Sequence, residues 1–253
     1  MNIGVIGIHG QMGQLIATSI QKKANWKVLF GVDAIKQVPF GEVIVFGSLA
    51  DAPRADLVVD FSHIGQWSST IAYAKKHQVP LVLGTTGYSV HQYHELVEAS
   101  KVVPIFHSQN FSVGLYVVLQ ALKQITPMLE DDFDIEIIER HHGQKVDAPS
   151  GTAHLIMDTI QQSLSTKYEI IHGREGFTGA RPKTQIGVHS IRGGSIAGVH
   201  EVLFASKGEQ IQLSHTAESR QVFVSGALKA ISFLQHLPSG LYGMSHLIGG
   251  ITQ

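Results

Sequence analysis

The sequence predicts an α/β protein: an N-terminal doubly wound parallel sheet followed by a C-terminal α+β domain with a mixed or antiparallel sheet. Two observations carry this prediction. Short continuous apolar runs alternate with helical periods over the first ~110 residues, which is typical of strands buried on both faces of a parallel sheet. Beyond residue 112 this alternation of strand and helix patterns stops, and closely spaced strand-like runs indicate a mixed or antiparallel sheet.

The first element is the apolar run 2–7, which ends in glycine. Met12, Ile16 and Ile20 follow at helical spacing, so we predict a strand, a tight turn and a helix. The further strands predicted in this half are 26–32, 43–46, 57–61, 79–83 and 102–106, and the further helices are 66–76 and 90–99.

The second half is predicted to hold a helix at 113–129, a strand at 133–139 and a helix after Ser150, with strands at 186–191, 196–205 and 210–216. The intervening segment 166–185 is rich in glycine and has little apolar periodicity. We expect it to be a mobile loop or a subunit arm rather than a core element. A helix at 222–234 is expected to return to the first domain.

Composition excludes several classes of function. The chain has 253 residues, a net charge of −1 and 43% hydrophobic residues, so it carries no basic field for nucleic acid or an anionic membrane. It contains no cysteine, which excludes thiolate catalysis and disulfides and fits a reducing compartment. Because no apolar run reaches about 18 residues, we expect a cytoplasmic protein without a membrane span.

The turn between the first strand and helix reads Gly7-Ile8-His9-Gly10-Gln11-Met12-Gly13. Glycines there let the backbone approach a pyrophosphate, as in a Rossmann-type unit, and the helix offers its N-terminal dipole. Asp33 ends the second strand, where a carboxylate accepts a hydrogen bond from a ribose hydroxyl. The glycine spacing departs from G-x-G-x-x-G, so a plain turn and an ordinary loop acid stay open. The predicted cofactor contacts here are Gly7, Ile8, His9, Gly10, Gln11, Met12 and Asp33.

Two more turns end predicted strands at the same sheet edge. Small residues there leave a crevice in which backbone groups bind a flat ring. The additional predicted cofactor contacts are Gly84, Thr85, Thr86, Ser108, Gln109, Asn110 and Phe111. The alternatives are that the glycine cluster is only a turn and that Asn110 caps the helix at 113.

The segment 139–153 places two imidazoles and an ammonium before a turn that opens a helix. Ser150 is a plausible N-cap, so unpaired N–H groups of the first turn should face the residues His141, His142 and Lys145. Such a helix end binds carboxylate or phosphate. The alternative is a capped helix whose histidines are merely solvated.

The segments 7–13, 84–87, 110–114 and, above all, 139–153 resemble the motifs of the 4-hydroxy-tetrahydrodipicolinate reductases, also called dihydrodipicolinate reductases. The resemblance runs over nearly the whole chain in the family's order. It implies an enzyme of bacterial-type diaminopimelate and lysine biosynthesis that uses NADH or NADPH, acts on a small dicarboxylate and is usually a homotetramer built through its second domain.

The resemblance also implies roles for single residues. His141 would donate or accept a proton, Lys145 would donate one, and His142 would contact the substrate. Gly151 and Thr152 would hold a substrate carboxylate. Reduction of a conjugated C=C or C=N needs hydride at one atom and a proton at its partner, so a cationic acid near an anion site agrees with these roles. No metal site is expected.

The domains are therefore predicted as a dinucleotide-binding domain at 1–111 and 221–253, and a substrate-binding and oligomerisation domain at 112–220. Asp33 facing the adenosine ribose favours a 2′-hydroxyl over a 2′-phosphate, although Lys36 could offset this as a point charge. Both cofactors are expected to work. Two alternatives stay open: another Rossmann-type nicotinamide-dependent dehydrogenase, and a non-catalytic nucleotide sensor.

Overall fold

The structure is a computed structural model that describes residues 1–34 and 38–250. Lys36 lies outside these residues. The chain divides into two compact units, of which unit 1 comprises Met1–Ser112 and Gln221–Gln253 and unit 2 comprises Val113–Arg220. The predicted fold class, a doubly wound parallel sheet with a second α+β part, is confirmed.

Strands and helices are numbered along the chain. The strands are β1 (Asn2–Ile6), β2 (Lys27–Val32), β3 (Val45–Phe46), β4 (Leu57–Asp60), β5 (Leu81–Leu83), β6 (Pro104–His107), β7 (Asp134–His141), β8 (Glu169–His172), β9 (Gln185–Arg192), β10 (Gly198–Ser206), β11 (Glu209–Ala217) and β12 (Gly240–Tyr242). The helices are α1 (Gln11–Gln21), α2 (Trp67–His77), α3 (Val90–Ser100), α4 (Val113–Leu129), α5 (Gly151–Ser163), α6 (Gln221–Leu234) and α7 (Met244–Gly249).

Unit 1 contains a seven-stranded sheet in the order β12-β6-β5-β4-β1-β2-β3, and every pair in it is parallel. All four residues of β4 are buried, as a strand covered on both faces requires. Helix α1 packs against α6, and α2 packs against α3. The chain runs from β1 outward to β3 and then returns to β4 on the other side of β1. The carboxyl ends of β1 and β4 therefore flank the topological switch point, where ligands of such sheets bind.

Unit 2 contains a five-stranded sheet in the order β11-β10-β7-β9-β8. Strands β11, β10 and β7 pair antiparallel, whereas β7, β9 and β8 pair parallel, so the sheet is mixed. Burial alternates strictly along β7. Its inner face carries Ile135 and Ile137, which join the core of this unit with residues of α4 and α5, and the same face then carries Glu139 and His141.

The prediction for segment 166–185 is wrong over its first part. Glu169–His172 forms β8, which pairs with β9, and Tyr168 is buried in the core of unit 2. The glycine and proline content of the remainder hid this four-residue strand. Strand β12 and helix α7 were also missed, because three and six residues are too few to show a period. Within the described ranges, no helix combines the length and the apolar character needed to cross a membrane.

Candidate active site

The carboxyl edge of the sheet in unit 1 gathers every cofactor contact predicted from the sequence. The glycine turn follows β1, Asp33 follows β2, the second glycine cluster follows β5, and Ser108 follows β6. Because these strands are parallel and neighbouring, their ends lie along one edge. Strand β4 lies between them in the sheet and was not assigned a role from the sequence.

The first glycine turn is built for close approach of backbone groups. Gly7 has φ +74°, and a Cβ at Gly13 would lie 2.0 Å from the Gly7 carbonyl oxygen, so only glycine lets α1 begin this close to β1. Gly10, which has no side chain, is the N-cap of α1. The N–H groups of the first helical turn therefore start beside the turn, which is the arrangement that binds a pyrophosphate.

The other residues of this turn have different surroundings. Ile8 is fully buried and packs against Gly31, so only its backbone is available to a ligand. The ring of His9 bonds the Val38 carbonyl oxygen at 2.8 Å through Nε2. Gln11 is exposed and Met12 is half-buried. Asp33 is half-buried, and its backbone N–H donates to the Phe46 carbonyl oxygen.

The second glycine cluster packs tightly onto the end of β4. A Cβ at Gly84 would lie 2.4 Å from the ring of Phe61, and the backbone N–H of Gly84 donates to the Asp60 carbonyl oxygen. The Thr85 hydroxyl donates to the Asp60 carboxylate at 3.2 Å. Thr86 is exposed at the edge.

The 108–111 turn is ordered by its own side chains. The Ser108 hydroxyl donates to the Asn110 carbonyl oxygen, and the Asn110 side-chain oxygen accepts from the backbone N–H of Ser112. Gln109 donates to the Tyr88 hydroxyl. The ring of Phe111 is buried against Phe61, with centroids 4.9 Å apart, so this side chain belongs to the core of unit 1.

In unit 2, His141 is the last residue of β7 and is buried. Its Nδ1 atom lies 2.5 Å from Oε2 of Glu139, which is fully buried. Glu139 also accepts two hydrogen bonds from the Arg192 guanidinium, at 2.9 and 2.7 Å. Burial raises the pKa of the Glu139 carboxyl, but the bonds from Arg192 and His141 outweigh it and hold the pKa at about 2.

The same carboxylate reaches the start of α5. Ser150 is the N-cap of this helix, as predicted, with its hydroxyl accepting from the Ala153 N–H, and the backbone N–H of Ser150 donates to Glu139 Oε1 at 3.2 Å. Gly151 and Thr152 are the first two residues of the helix. Glu139 therefore links His141 and the N-terminus of α5 in one hydrogen-bond network.

His142 and Lys145 belong to the turn that follows β7. The backbone of this turn is closed by a hydrogen bond from the Lys145 N–H to the His142 carbonyl oxygen. The Lys145 ammonium lies 2.7 Å from Asp147 Oδ1 and lowers the pKa of that carboxyl. The Asp147 side chain is half exposed, and its backbone carbonyl oxygen accepts from Arg192 at 2.7 Å, so Lys145 is connected through Asp147 and Arg192 to Glu139.

A second imidazole, His200 of β10, completes the cluster. Its Nε2 atom lies 2.8 Å from the Ser150 hydroxyl oxygen, and its ring contacts that of His141 edge-on, with centroids 5.1 Å apart. Burial, reinforced by the neighbouring His141, lowers the pKa of His200 to about 4. His200 is therefore neutral at physiological pH and supports the cluster without adding charge.

Four residues of these sites, Glu139, Arg192, His200 and Asp60, were not predicted to have a role. A signal for Glu139 existed, because residues two apart on a strand share a face and His141 follows it by two. Arg192 and His200 reach the site only through strand register, in which Arg192 pairs with His141 and His200 with Glu139. No local pattern encodes that pairing.

The doubly wound sheet with its glycine turn, and an acid–base cluster beside a helix N-terminus in the second unit, define the class of protein: a nicotinamide-dependent oxidoreductase. The chain belongs to the dihydrodipicolinate reductase family. The model for the N-terminus of dihydrodipicolinate reductase matches residues 1–111, and the model for its C-terminus matches residues 114–248.

Relatives named 4-hydroxy-tetrahydrodipicolinate reductase support this assignment. The one from Clostridium tetani is 43% identical over 248 residues, covering 98% of this chain and 97% of the relative. The one from Clostridium novyi is 44% identical over 243 residues, covering 96% of both.

Solved structures share the fold. Dipicolinate-bound dihydrodipicolinate reductase from Paenisporosarcina sp. TG-14 has a TM-score of 0.79 at 24% identity and covers 98% of this chain and 99% of its own. Aspartate dehydrogenase from Thermotoga maritima is similar more distantly, with a TM-score of 0.52 at 13% identity, covering 95% of this chain and 99% of its own.

Proposed function

We propose that the chain reduces 4-hydroxy-tetrahydrodipicolinate to tetrahydrodipicolinate with NADH or NADPH, as a cytoplasmic enzyme of diaminopimelate and lysine biosynthesis. The observation that carries this proposal is the Glu139 carboxylate, which bonds both the His141 imidazole and the backbone of the α5 N-cap. One buried carboxylate thus holds both an acid–base group and a helix end that can bind an anion. This arrangement suits a dicarboxylate substrate that takes up a proton during its reduction. The names of the relatives at 43% and 44% identity support the substrate.

In this proposal the two units bind different ligands. Unit 1 is the dinucleotide-binding domain, and its edge residues Gly7–Met12, Asp33, Gly84–Thr86 and Ser108–Phe111 hold the cofactor. Unit 2 is the substrate-binding domain. Bound NADH or NADPH supplies a hydride to one ring atom of the substrate.

Residues of unit 2 supply the proton and hold the substrate. The 4-hydroxyl group leaves as water, which creates a conjugated C=C in the ring. Hydride adds to one carbon of that bond, Lys145 donates the proton to the other, and His141 donates or accepts a proton at the same site. The N–H groups of Gly151 and Thr152 bind one substrate carboxylate, and His142 contacts the substrate. Glu139 keeps the His141 ring in one orientation, so that Nδ1 faces the carboxylate and Nε2 is the atom available for proton transfer.

Cofactor preference follows from Asp33, which comes directly after β2 at the sheet edge. A carboxylate accepts a hydrogen bond from a ribose 2′-hydroxyl but repels a 2′-phosphate. We therefore propose that both cofactors work, with NADH equal to NADPH or modestly better.

The proposed assembly is a homotetramer built through unit 2. The outer face of its sheet presents Ile138, Val199 and Leu203, all half-buried, and Ile191, which is 47% exposed. Apolar side chains on an open sheet face suit contact with another subunit. Light scattering at micromolar concentration tests this assembly, and a monomer contradicts it. The proposed reaction is tested by following nicotinamide absorbance with freshly generated substrate.

A further inference from the structure

The carboxyl end of β4 carries a buried carboxylate, Asp60, that the proposed chemistry does not use. Its side chain is fully buried. It stands beside the topological switch point, because β4 pairs with β1 on one side and with β5 on the other. The turns that follow both neighbours belong to the proposed cofactor site.

The two oxygens of Asp60 face different parts of unit 1. Oδ1 accepts from the backbone N–H of Ser62 at 2.8 Å and from the Thr85 hydroxyl at 3.2 Å, so it binds the turns after β4 and β5. Oδ2 accepts from the Thr70 hydroxyl of α2 at 2.7 Å. One carboxylate therefore joins two turns of the sheet edge and anchors both to a helix.

The first glycine turn, which follows β1, contacts the turn at Ser62. A Cβ at Gly7 would lie 2.9 Å from the Cα atom of Ser62, so the turn after β1 packs directly on the turn that Asp60 holds. Burial raises the pKa of the Asp60 carboxyl, while the donors Ser62, Thr70 and Thr85 act in the opposite direction. Burying a carboxyl group costs free energy unless hydrogen-bond donors are held in place around it, as these three residues are.

We propose that Asp60 is a positioning residue of the cofactor site: through Oδ1 it fixes the turns at Ser62 and Thr85, and thereby the backbone groups of Gly84–Thr86 that bind the nicotinamide end of the cofactor. This inference rests on the proposed function, in which unit 1 binds NADH or NADPH. Loss of the Oδ1 contacts loosens the cofactor site, whereas loss of the Oδ2 contact only weakens the attachment of α2.

The test compares two isosteric substitutions on opposite sides of the same carboxylate. Thr85→Val removes a hydroxyl from Oδ1, Thr70→Val removes one from Oδ2, and Thr85→Ser keeps the hydroxyl. The measurements are the Kd for NADH by fluorescence titration and the melting temperature of each full-length protein. We expect Thr85→Val to raise the Kd about tenfold, as the loss of one net hydrogen bond allows, and Thr85→Ser, which keeps the hydroxyl donor, to recover most of that loss. Thr70→Val, which lies on α2, should stay within about twofold of wild type. Thr70→Val lowers the melting temperature alone.

A double-mutant cycle assigns the effect to Asp60. In Asp60→Ala, the further change Thr85→Val adds little to the Kd, because the partner of the hydroxyl is already gone. If circular dichroism shows that Asp60→Ala does not fold, the proposal is tested by comparing the Kd for NADH of Thr85→Val with that of Thr85→Ser. Equal Kd values for Thr85→Val, Thr85→Ser and wild type overturn the proposal, as does full additivity in the cycle. A wild-type protein that binds NADH but does not reduce the dicarboxylate refutes the proposed function and leaves this result standing.

Discussion

The Oε2 atom of Glu139 lies 2.5 Å from Nδ1 of His141, two residues further along the same face of β7. The inner face of this strand is apolar at Ile135 and Ile137 and becomes polar only at these last two buried positions. A buried carboxylate that fixes an imidazole tautomer is the arrangement that prepares a histidine for proton transfer.

Glu139→Gln is expected to lower kcat by on the order of 10². The amide no longer neutralises Arg192 and no longer fixes the His141 ring, whereas NADH binding, which belongs to unit 1, stays near the wild-type value. Steady-state kinetics and a fluorescence titration with NADH measure the two effects.

Glu136 offers a matched control on the outer face of the same strand. It too is bonded by an arginine, Arg174, and by a histidine, His189 at 2.8 Å, and these bonds overcome the effect of burial and hold its pKa at about 2. Glu136→Gln should reduce stability but leave kcat within a few-fold of wild type. Equal losses of kcat in the two variants would mean that Glu139 acts only as a structural residue.

Lys145→Ala is expected to lower kcat by on the order of 10² or more while NADH binding is preserved, because the proposed proton donor is removed. His141→Ala should also impair turnover. Lys207→Ala, at an exposed lysine after β10, is the matched control and should behave as wild type. Near-normal kcat in both site variants would show that the assignment of the proton-transfer groups is wrong.

The folded protein should lose stability between about pH 6.5 and pH 4. The pKa of His200 is lowered from 6.5 to about 4 by burial, so the unfolded chain binds a proton in this window that the folded chain does not. The stability contribution is complete above pH 6.5 and is lost as the pH falls through the window. At pH 5 the loss from His200 is about 2 kcal/mol. Burial lowers the pKa of His107 in unit 1 to about 4 as well, which adds to the loss.

Urea unfolding at pH 7 and pH 5 measures this effect, with His200→Gln as the comparison. The variant removes the titrating group, so its stability should fall less between the two pH values than that of wild type. Glu139 and Glu136 do not confuse the comparison, because their stabilising effect is lost only as the pH falls from about 4.5 toward 2. An identical pH dependence for both proteins would contradict a neutral, buried His200.

Cofactor preference is tested by Lys36→Ala. Lys36 follows Asp33 by three residues in the sequence, and its ammonium is expected to offset the repulsion between Asp33 and a 2′-phosphate. The substitution should therefore raise KM for NADPH and leave KM for NADH nearly unchanged. An NADPH preference above tenfold that survives the loss of Lys36 would point to another cation near the ribose, such as Lys22 or Lys23.

The fold of unit 1 was predictable because strands buried on both faces form continuous apolar runs, as residues 57–59 of β4 do. The core of the site in unit 2 was predictable because His141, Lys145 and Ser150 lie within ten residues, so their proximity is local. Arg192 and His200 were not, because they arrive from β9 and β10 through strand register.

Strand β8 and the role of Asp60 could not be predicted from the sequence, for physical reasons. Strand β8 spans four residues inside a glycine-rich segment, and its partner is β9, with Glu169 paired to Gln185, so no pattern within the four residues themselves reveals it. Asp60 ends an apolar run like any strand-terminal acid, and only the structure brings Thr85 and Thr70 to its carboxylate.

The most direct test of the reductase proposal follows nicotinamide absorbance while the full-length protein is mixed with NADH, or with NADPH, and substrate freshly generated by the preceding synthase. We expect oxidation of either cofactor that depends on the substrate and that falls by on the order of 10² in Lys145→Ala. Binding of NADH and NADPH without substrate-dependent oxidation would contradict the proposed reductase activity and would instead indicate a non-catalytic nucleotide sensor.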